Sequence, residues 1–557
     1  MKSSEADFIQ SLHTNQAVYE PGEKLKLDIE LKKPVKDGKV FIEVFHLEEP
    51  IANDSYRLSS EMKYSWTWRM PADNEKGYLI KVRVQGEDGK QEIQTIAADA
   101  SYKWSKFPRY GYLSNFQDMS EKEQKKIIKK LNRFHINGLQ FYDFHDKHHL
   151  PLNGENRWND IAGREVDRIT IERYIQLAHQ YNMKAMAYNL LYGAYQDAEQ
   201  DGVQPQWGLY KDKASSVPDI HDLPDGWESD VTVMNPGNEA WQEYLLEAQD
   251  DLRMQMDFDG WHIDQLGNRG EVYTHTGEKV TVSETFDEFL SHADSRLNQH
   301  LVMNAVNQYG QMEIASSPVD FLYSELWDGY ETFADLKRVI EENWEWSGYT
   351  KNTVLAAYMN YDAADEKGTF NEPGILLANA AIFSLGGAHI ELGEGMLSKE
   401  YFPHHNLSVT SQLEKKLIAY YDFMTAYQNV LRDEVRPAAI SLSSYTHRLY
   451  KEPLPQHVWS FSRQTSGKSI LHFLNFNGIE NMNWRDSRGT QKKPQLQKDI
   501  NVTFQSKNKI SRLWLASPDQ ESGLPQELKF KQKGSEVSFV LPKLEYYSMT
   551  VAEFEEN

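Results

Sequence analysis

The stretch FDGWHIDQLG, residues 258–267, decides the fold. It runs apolar for half its length and surfaces on a carboxylate, Asp264, followed by Gln265 and Gly267. A strand covered on both faces reads as such a run, because a parallel sheet leaves neither face to water. A carboxylate at its exit is either a cap for the next element or a group held at the C-terminal edge of the sheet, where ligands bind.

Seven other segments share this character: RYGYLSNF (109–116), GLQFYDF (138–144), MKAMAYNLL (183–191), LVMNAV (301–306), VDFLYSEL (319–326), TVLAAYMNY (353–361) and GGAHIELGE (386–394). Helical patterns separate them. Ser120 and Glu123 form a capping box ahead of Ile127, Leu131 and Phe134. Thr170 caps a stripe of Ile171, Tyr174, Ile175 and Ala178, and a third stripe runs through 238–254. The shortest crossover, 306–319, is near the minimum of about a dozen residues for a parallel return. Strands alternating with helices imply βα units, so a central (β/α)8 TIM barrel is expected over 105–436.

The flanks change period. Residues 1–104 hold short alternating segments broken by EPGE, KDGK and EDGK, which predicts an N-terminal immunoglobulin-like β-sandwich. Residues 437–557 contain HVWSFSRQ, SILHFLNFNG, INVTFQS and ISRLWLAS, which predicts a C-terminal antiparallel β-sandwich. The expected class is thus multidomain, α/β plus all-β.

A formal net charge of -23 repels phosphate backbones and anionic lipid surfaces, so neither nucleic acid nor membrane is an expected partner. No apolar run approaches the ~20 residues of a membrane span. The start, MKSSEADFIQ, lacks an apolar signal core; a secreted protein would have lost its signal. With no Cys, thiol nucleophiles and zinc–thiolate sites are excluded. The 14 Trp and 30 Tyr suit ligands that offer apolar C–H faces and polar edges, as sugars do.

Active sites of such barrels lie at the C-terminal strand ends. In order these carry Asn115; Tyr142, Asp143 and His145; Tyr188, Asn189 and Tyr192; Asp264 and Gln265; Asn304; Glu325, Trp327 and Asp328; Tyr358, Asn360 and Asp362; then Glu391 and Glu394. This rim has carboxylates, amides and aromatics, but no His/Asp cluster at metal-ligand spacing, no phosphate-cradling glycine loop and no Ser-His-Asp set. No metal or cofactor is expected. Two carboxyl groups without a cofactor are the apparatus of glycoside hydrolysis, and Asp264 with Glu325 is the leading pair. Asp143 and Glu391 are rivals at other strand ends. Expected sugar contacts are Tyr142, Asp143, Tyr188, Tyr192, Gln265, Asn304, Trp327, Tyr358 and Asn360. The long segment 192–237 adds Trp207 and Trp227 as stacking platforms. The acidic stretches Asp197–Asp201 and Asp222–Asp230 read as solvated loops.

FDGWHIDQLGNRG together with FLYSELWDGY, YNLLYGAY and the sheet–barrel–sheet order resembles glycoside hydrolase family 66 along essentially the whole chain. That family contains dextranases and cycloisomaltooligosaccharide glucanotransferases. The resemblance implies a retaining attack on α-1,6-glucosidic bonds of dextran, with Asp264 as nucleophile and Glu325 as general acid/base. An α-amylase-type enzyme would carry Arg where this chain has His262. The glucanotransferases carry a carbohydrate-binding module within the catalytic domain, and no segment here has room for one. The expectation is therefore an extracellular, monomeric endo-dextranase releasing isomaltooligosaccharides. A cyclising glucanotransferase is the alternative, and a non-catalytic glucan-binding protein is the third reading.

Overall fold

The computed structural model describes residues 7–402, 404–520 and 523–555. Eight parallel strands form one sheet: Tyr110–Leu113, Gly138–Phe141, Lys184–Leu190, Gly260–Asp264, His300–Val306, Leu322–Glu325, Thr353–Ala356 and Ala388–His389, each paired with its neighbours in chain order. The sheet nearly closes on itself, because the Tyr112 N–H donates to the Leu392 carbonyl at 3.1 Å. At this seam a Cβ on Gly393 would stand 2.4 Å from the Tyr112 carbonyl, so only glycine lets the two ends meet. All eight expected segments contribute a strand, most of them shortened. The stretch 353–361 leaves the ladder after Ala356, and 386–394 after His389, each turning outward to build the rim.

The fourth strand shows how the fold places its carboxylate. Trp261 and Ile263 face the outer helices, and Trp261 meets the Phe289 ring edge-on at 5.9 Å. Burial of each such side chain contributes about 1.5–3 kcal/mol. His262 points inward between Tyr110 and Tyr323. Period-2 alternation then turns Asp264 inward as well, one step nearer the mouth.

The helices follow the local signals with one change. Ser120 and Glu123 form the expected capping box on Glu121–Arg133. The cap of Arg168–Gln180 is Asp167, whose carboxylate accepts the Thr170 N–H; Thr170 itself lies inside the helix. Asn238 caps Glu239–Gln255, and the short crossover holds only Gln311–Ser316.

Before the barrel, an antiparallel three-stranded sheet and a four-stranded sheet share a core of Leu25, Leu27, Ile29, Val40, Ile42 and Val44. After it, a seven-stranded and a three-stranded sheet share Leu471, Phe473, Val502, Phe504 and Phe539. Buried ion pairs lock the first unit to the barrel. Arg109 donates to both oxygens of Asp99, at 2.8 and 3.2 Å, with neither side chain more than 1% exposed. Asp422, on Ser411–Ala426, accepts Arg133, His135 and the Ala97 N–H. Among the described residues, no helix is long and apolar enough to cross a membrane.

Candidate active site

Asp264 and Glu325 stand at the exits of the fourth and sixth strands, and Asn304 rises from the fifth strand between them. The Asn304 Nδ2 donates to Asp264 Oδ1 at 2.8 Å and to Glu325 Oε2 at 2.9 Å. The orientation of that amide follows from its neighbours, since two carboxylates leave room only for the NH2 end. One nitrogen therefore spans both groups. Their bonded oxygens lie no further apart than about 5.7 Å, and about 5 Å when the two N–H bonds diverge at the usual ~120° of an amide.

The two carboxyls live in different surroundings. Asp264 accepts three bonds: from Asn304, from the Tyr188 hydroxyl at 2.6 Å and from the Gln265 N–H at 2.8 Å. Burial pushes its pKa up, and these three donors oppose that push. Glu325 accepts only Asn304 and the Tyr358 hydroxyl at 2.8 Å. Burial, then the charge of Asp264, raises Glu325 to about 7. Two carboxyls this close do not both ionise readily, and the extra donor on Asp264 favours the charge there over Glu325.

A cavity of about 270 Å3 opens over this pair. His262 forms part of its lining, with burial lowering its pKa to about 3, so a neutral imidazole stands beside the carboxylates. Among the predicted contacts, Tyr142, Asp143, Tyr188, Gln265, Asn304, Trp327 and Tyr358 line the cavity. Tyr142 stacks against Phe402 with ring centres 4.3 Å apart, and Trp327 leans on Tyr358 at 5.3 Å. Asp143 is buried, 3.7 Å from Arg164; burial raises its pKa to about 7 against the opposing guanidinium.

Three predicted contacts stand outside the cavity lining. The Tyr192 hydroxyl accepts the Leu266 N–H at 2.7 Å, supporting the loop after Asp264 from behind. Trp207 packs on Tyr244 at 5.9 Å, inside the outer layer. Asn360, at φ +56°, turns its amide toward Asp486 and accepts the Asn371 N–H, bracing the rim rather than a ligand. Of the two rivals, Asp143 lines the cavity and Glu391 stands outside it. Glu391 accepts Asn379 and Tyr421, and Glu394 accepts the Ser114 and Asn115 N–H groups at the barrel seam.

Other lining residues come from loops, and of these Trp227 alone is an expected one, as a stacking platform. The segment 192–237 folds into a three-stranded sheet, Gly193–Tyr195, Ile220–His221 and Val231–Val233, that delivers His221, Leu223 and Trp227 to the wall. Glu400, Tyr401 and Phe402 arrive from beyond the eighth strand. The two loops touch through Trp227 and Tyr401, 5.2 Å apart, while Arg164 donates to the Phe402 carbonyl. The sequence does carry a His/Asp grouping at this rim, contrary to the reading above. Asp143, His145 and His148 bring ligand atoms within 4.8 Å of one another, with His148 Nδ1 also 2.9 Å from Asn189 Oδ1. The acidic pair Asp197 and Asp201 is taken up by Lys147.

Comparison with known proteins agrees with this geometry. The profile of Glycosyl hydrolase family 66 matches residues 14–551. A cycloisomaltooligosaccharide glucanotransferase of Niallia circulans is 26% identical over 709 aligned positions, covering 97% of this chain and 71% of the relative. A dextranase of Streptococcus salivarius is 24% identical over 529 positions, covering 80% of this chain and 63% of that one. The crystal structure of a Paenibacillus sp. cycloisomaltooligosaccharide glucanotransferase complexed with cycloisomaltoheptaose superposes with a TM-score of 0.91 at 26% identity, over 98% of this chain and 99% of that chain. A carboxylate pair at the mouth of a nearly closed parallel barrel, with a family match over nearly its whole length, places this chain in glycosyl hydrolase family 66.

Proposed function

We propose that the protein is a retaining endo-dextranase that hydrolyses α-1,6-glucosidic bonds of dextran to isomaltooligosaccharides. The observation that carries this reading is the Asn304 bridge. Two carboxyl oxygens that share one amide nitrogen, no more than about 5.7 Å apart, favour double displacement, whose carboxyls stand ~5–5.5 Å apart, over inversion at ~6.5–9.5 Å. In the first step Asp264 bonds the anomeric carbon as the C–O6 bond breaks, and the Glu325 proton passes to O6. In the second, Glu325 takes a proton from water, the water oxygen bonds the anomeric carbon, and Asp264 leaves. Tyr142, Asp143, Tyr188, Trp327 and Tyr358 hold the sugar.

Cyclising transfer on the same site is the second reading, favoured by the names of the relatives from Niallia circulans and Paenibacillus sp.. Hydrolysis is preferred because alignments of 709 and 715 positions against a chain of 557 residues give the two Niallia circulans relatives long insertions that this chain lacks. The endo mode, secretion and a monomeric state rest on the sequence resemblance and the polymeric substrate. Three units, 1–104, 105–436 and 437–557, are read as immunoglobulin-like sandwich, catalytic barrel and C-terminal sandwich.

Purified enzyme on dextran, starch and pullulan tests the assignment. Linear isomaltooligosaccharides from dextran alone, with the α-anomer formed first by proton NMR, are expected. Cyclic products would move the assignment to transfer, and release from starch would overturn it. Asp264→Asn and Glu325→Gln should each abolish most activity on dextran without altering the fold.

A further inference from the structure

The sheet domain after the barrel sends one cation to the rim. Between the strands Lys468–Asn475 and Gln497–Gln505, the chain runs out along the barrel mouth. Trp484 anchors it: its indole N–H donates to the Tyr330 carbonyl at 2.6 Å and its backbone N–H to Glu331 at 3.0 Å. Asp486 anchors the other side by accepting Asn360 and Asn371. Arg485, held between these anchors, turns inward.

Its guanidinium bonds carbonyls rather than a carboxylate. Nη2 donates to Leu326 O at 2.7 Å and Nη1 to Tyr358 O at 3.3 Å. Leu326 follows Glu325 directly, and Tyr358 is the residue whose hydroxyl holds Glu325 Oε1. One planar fork thus ties the backbone that aims Glu325 to the backbone that aims its hydrogen-bond donor. The same guanidinium lies 5.3 Å from the Trp327 ring centre and 5.7 Å from that of Tyr361. Burying a cation is costly, and satisfying two loop carbonyls needs no charge. Arg485 does not line the cavity, so contact with sugar does not explain it either.

We propose that Arg485 is a positioning residue for Glu325, through which the C-terminal sheet domain completes the active site. It sets the reach of Glu325 toward the leaving oxygen. Lys offers a point charge in place of a rigid fork and cannot hold both carbonyls in the same geometry. The proposal rests on Glu325 being the acid, and the test separates the two.

Arg485→Met, Arg485→Lys and Glu325→Gln are assayed on isomaltotetraose and on α-isomaltosyl fluoride, whose leaving group needs no proton. The ratio kcat/KM reports the first chemical step for both substrates. For Arg485→Met, kcat/KM on isomaltotetraose should fall about 30-fold, as expected for loss of roughly 2 kcal/mol of charge-assisted bonding. On the fluoride it should stay within about threefold, and added guanidinium should restore part of the loss. Arg485→Lys, which keeps the charge and one donor, should show the same selectivity at a smaller loss. Equal losses on both substrates in the Arg485 variants, or no loss in either, would overturn the proposal. If Glu325→Gln shows no dependence on the leaving group, the acid assignment fails instead. Melting temperatures of all variants accompany the kinetics, and should Arg485→Met not fold, the Lys variant carries the same comparison.

Discussion

Replacing Asn304 by Ala removes the one side chain among the described residues that hydrogen-bonds both carboxyls. Its Nδ2 protons go to Asp264 and Glu325 at 2.8 and 2.9 Å, and its own Oδ1 has no partner, so the change orphans no acceptor on the Asn304 side. A hydrogen bond to a charged group contributes about 1.5–3 kcal/mol. Asp264 keeps Tyr188 and the Gln265 N–H, so the net loss in the transition state is about one such bond, 2–3 kcal/mol. At 1.36 kcal/mol per decade that predicts a fall in kcat/KM of about 30- to 150-fold. The pH profile should move as well. Both carboxyls lose a donor that favours their ionised forms, so both titrate at higher pH. The acid limb, which reports ionisation of Asp264, and the basic limb, which reports deprotonation of Glu325, shift upward together. Initial rates on isomaltotetraose across pH 4–9, with circular dichroism to confirm folding, make the measurement. A variant within about threefold of the parent rate and with unmoved limbs would refute the bridge as a functional element.

In the parent enzyme, activity should fall as pH rises through about 7, because Glu325 then loses the proton it must give to the leaving oxygen. Tyr358→Phe removes a donor to the ionised form, so that limb should move to higher pH while kcat/KM falls about tenfold; a limb that stays put contradicts the assignment. Arg109→Met leaves Asp99 buried without its cation and should cost about 3–5 kcal/mol in urea unfolding; a cost under about 1 kcal/mol would show the pair is not a structural lock. Trp227→Ala breaks the aromatic contact with Tyr401 and should raise KM for short isomaltooligosaccharides with kcat little changed, since neither ring touches the carboxylates; a large fall in kcat alone would place Trp227 in the chemistry.

The barrel was legible because buried parallel strands write continuous apolar runs, and FDGWHID is one of eight. The carboxylate pair was legible for the same reason: Asp264 and Glu325 each end such a run, where the strand period must turn them inward. Asn304 was visible as a strand-end amide, but its two hydrogen bonds, one to each carboxyl, required the registers Ile263–Met303 and Asn304–Tyr323. Asn360 misled because its strand stops early, at Ala356, so position along the sequence no longer reports position on the barrel. Trp207 misled because a long loop carries two tryptophans and only folding decides which faces inward. Phe402 and Arg485 left no signal at all. They reach the site from loops whose path depends on contacts hundreds of residues away, Arg485 from another sheet domain altogether.

The pairing of Asp264 as nucleophile with Glu325 as acid/base is tested most directly by trapping the glycosyl-enzyme. A 5-fluoro-α-glucosyl fluoride carries a good leaving group but slows the second step, so the intermediate accumulates. Peptide mass spectrometry should then find one fluoroglucosyl unit on the peptide that contains Asp264, and none in Asp264→Asn. A label on Asp143 or Glu325, or no label while fluoride is released with inversion, would contradict the account.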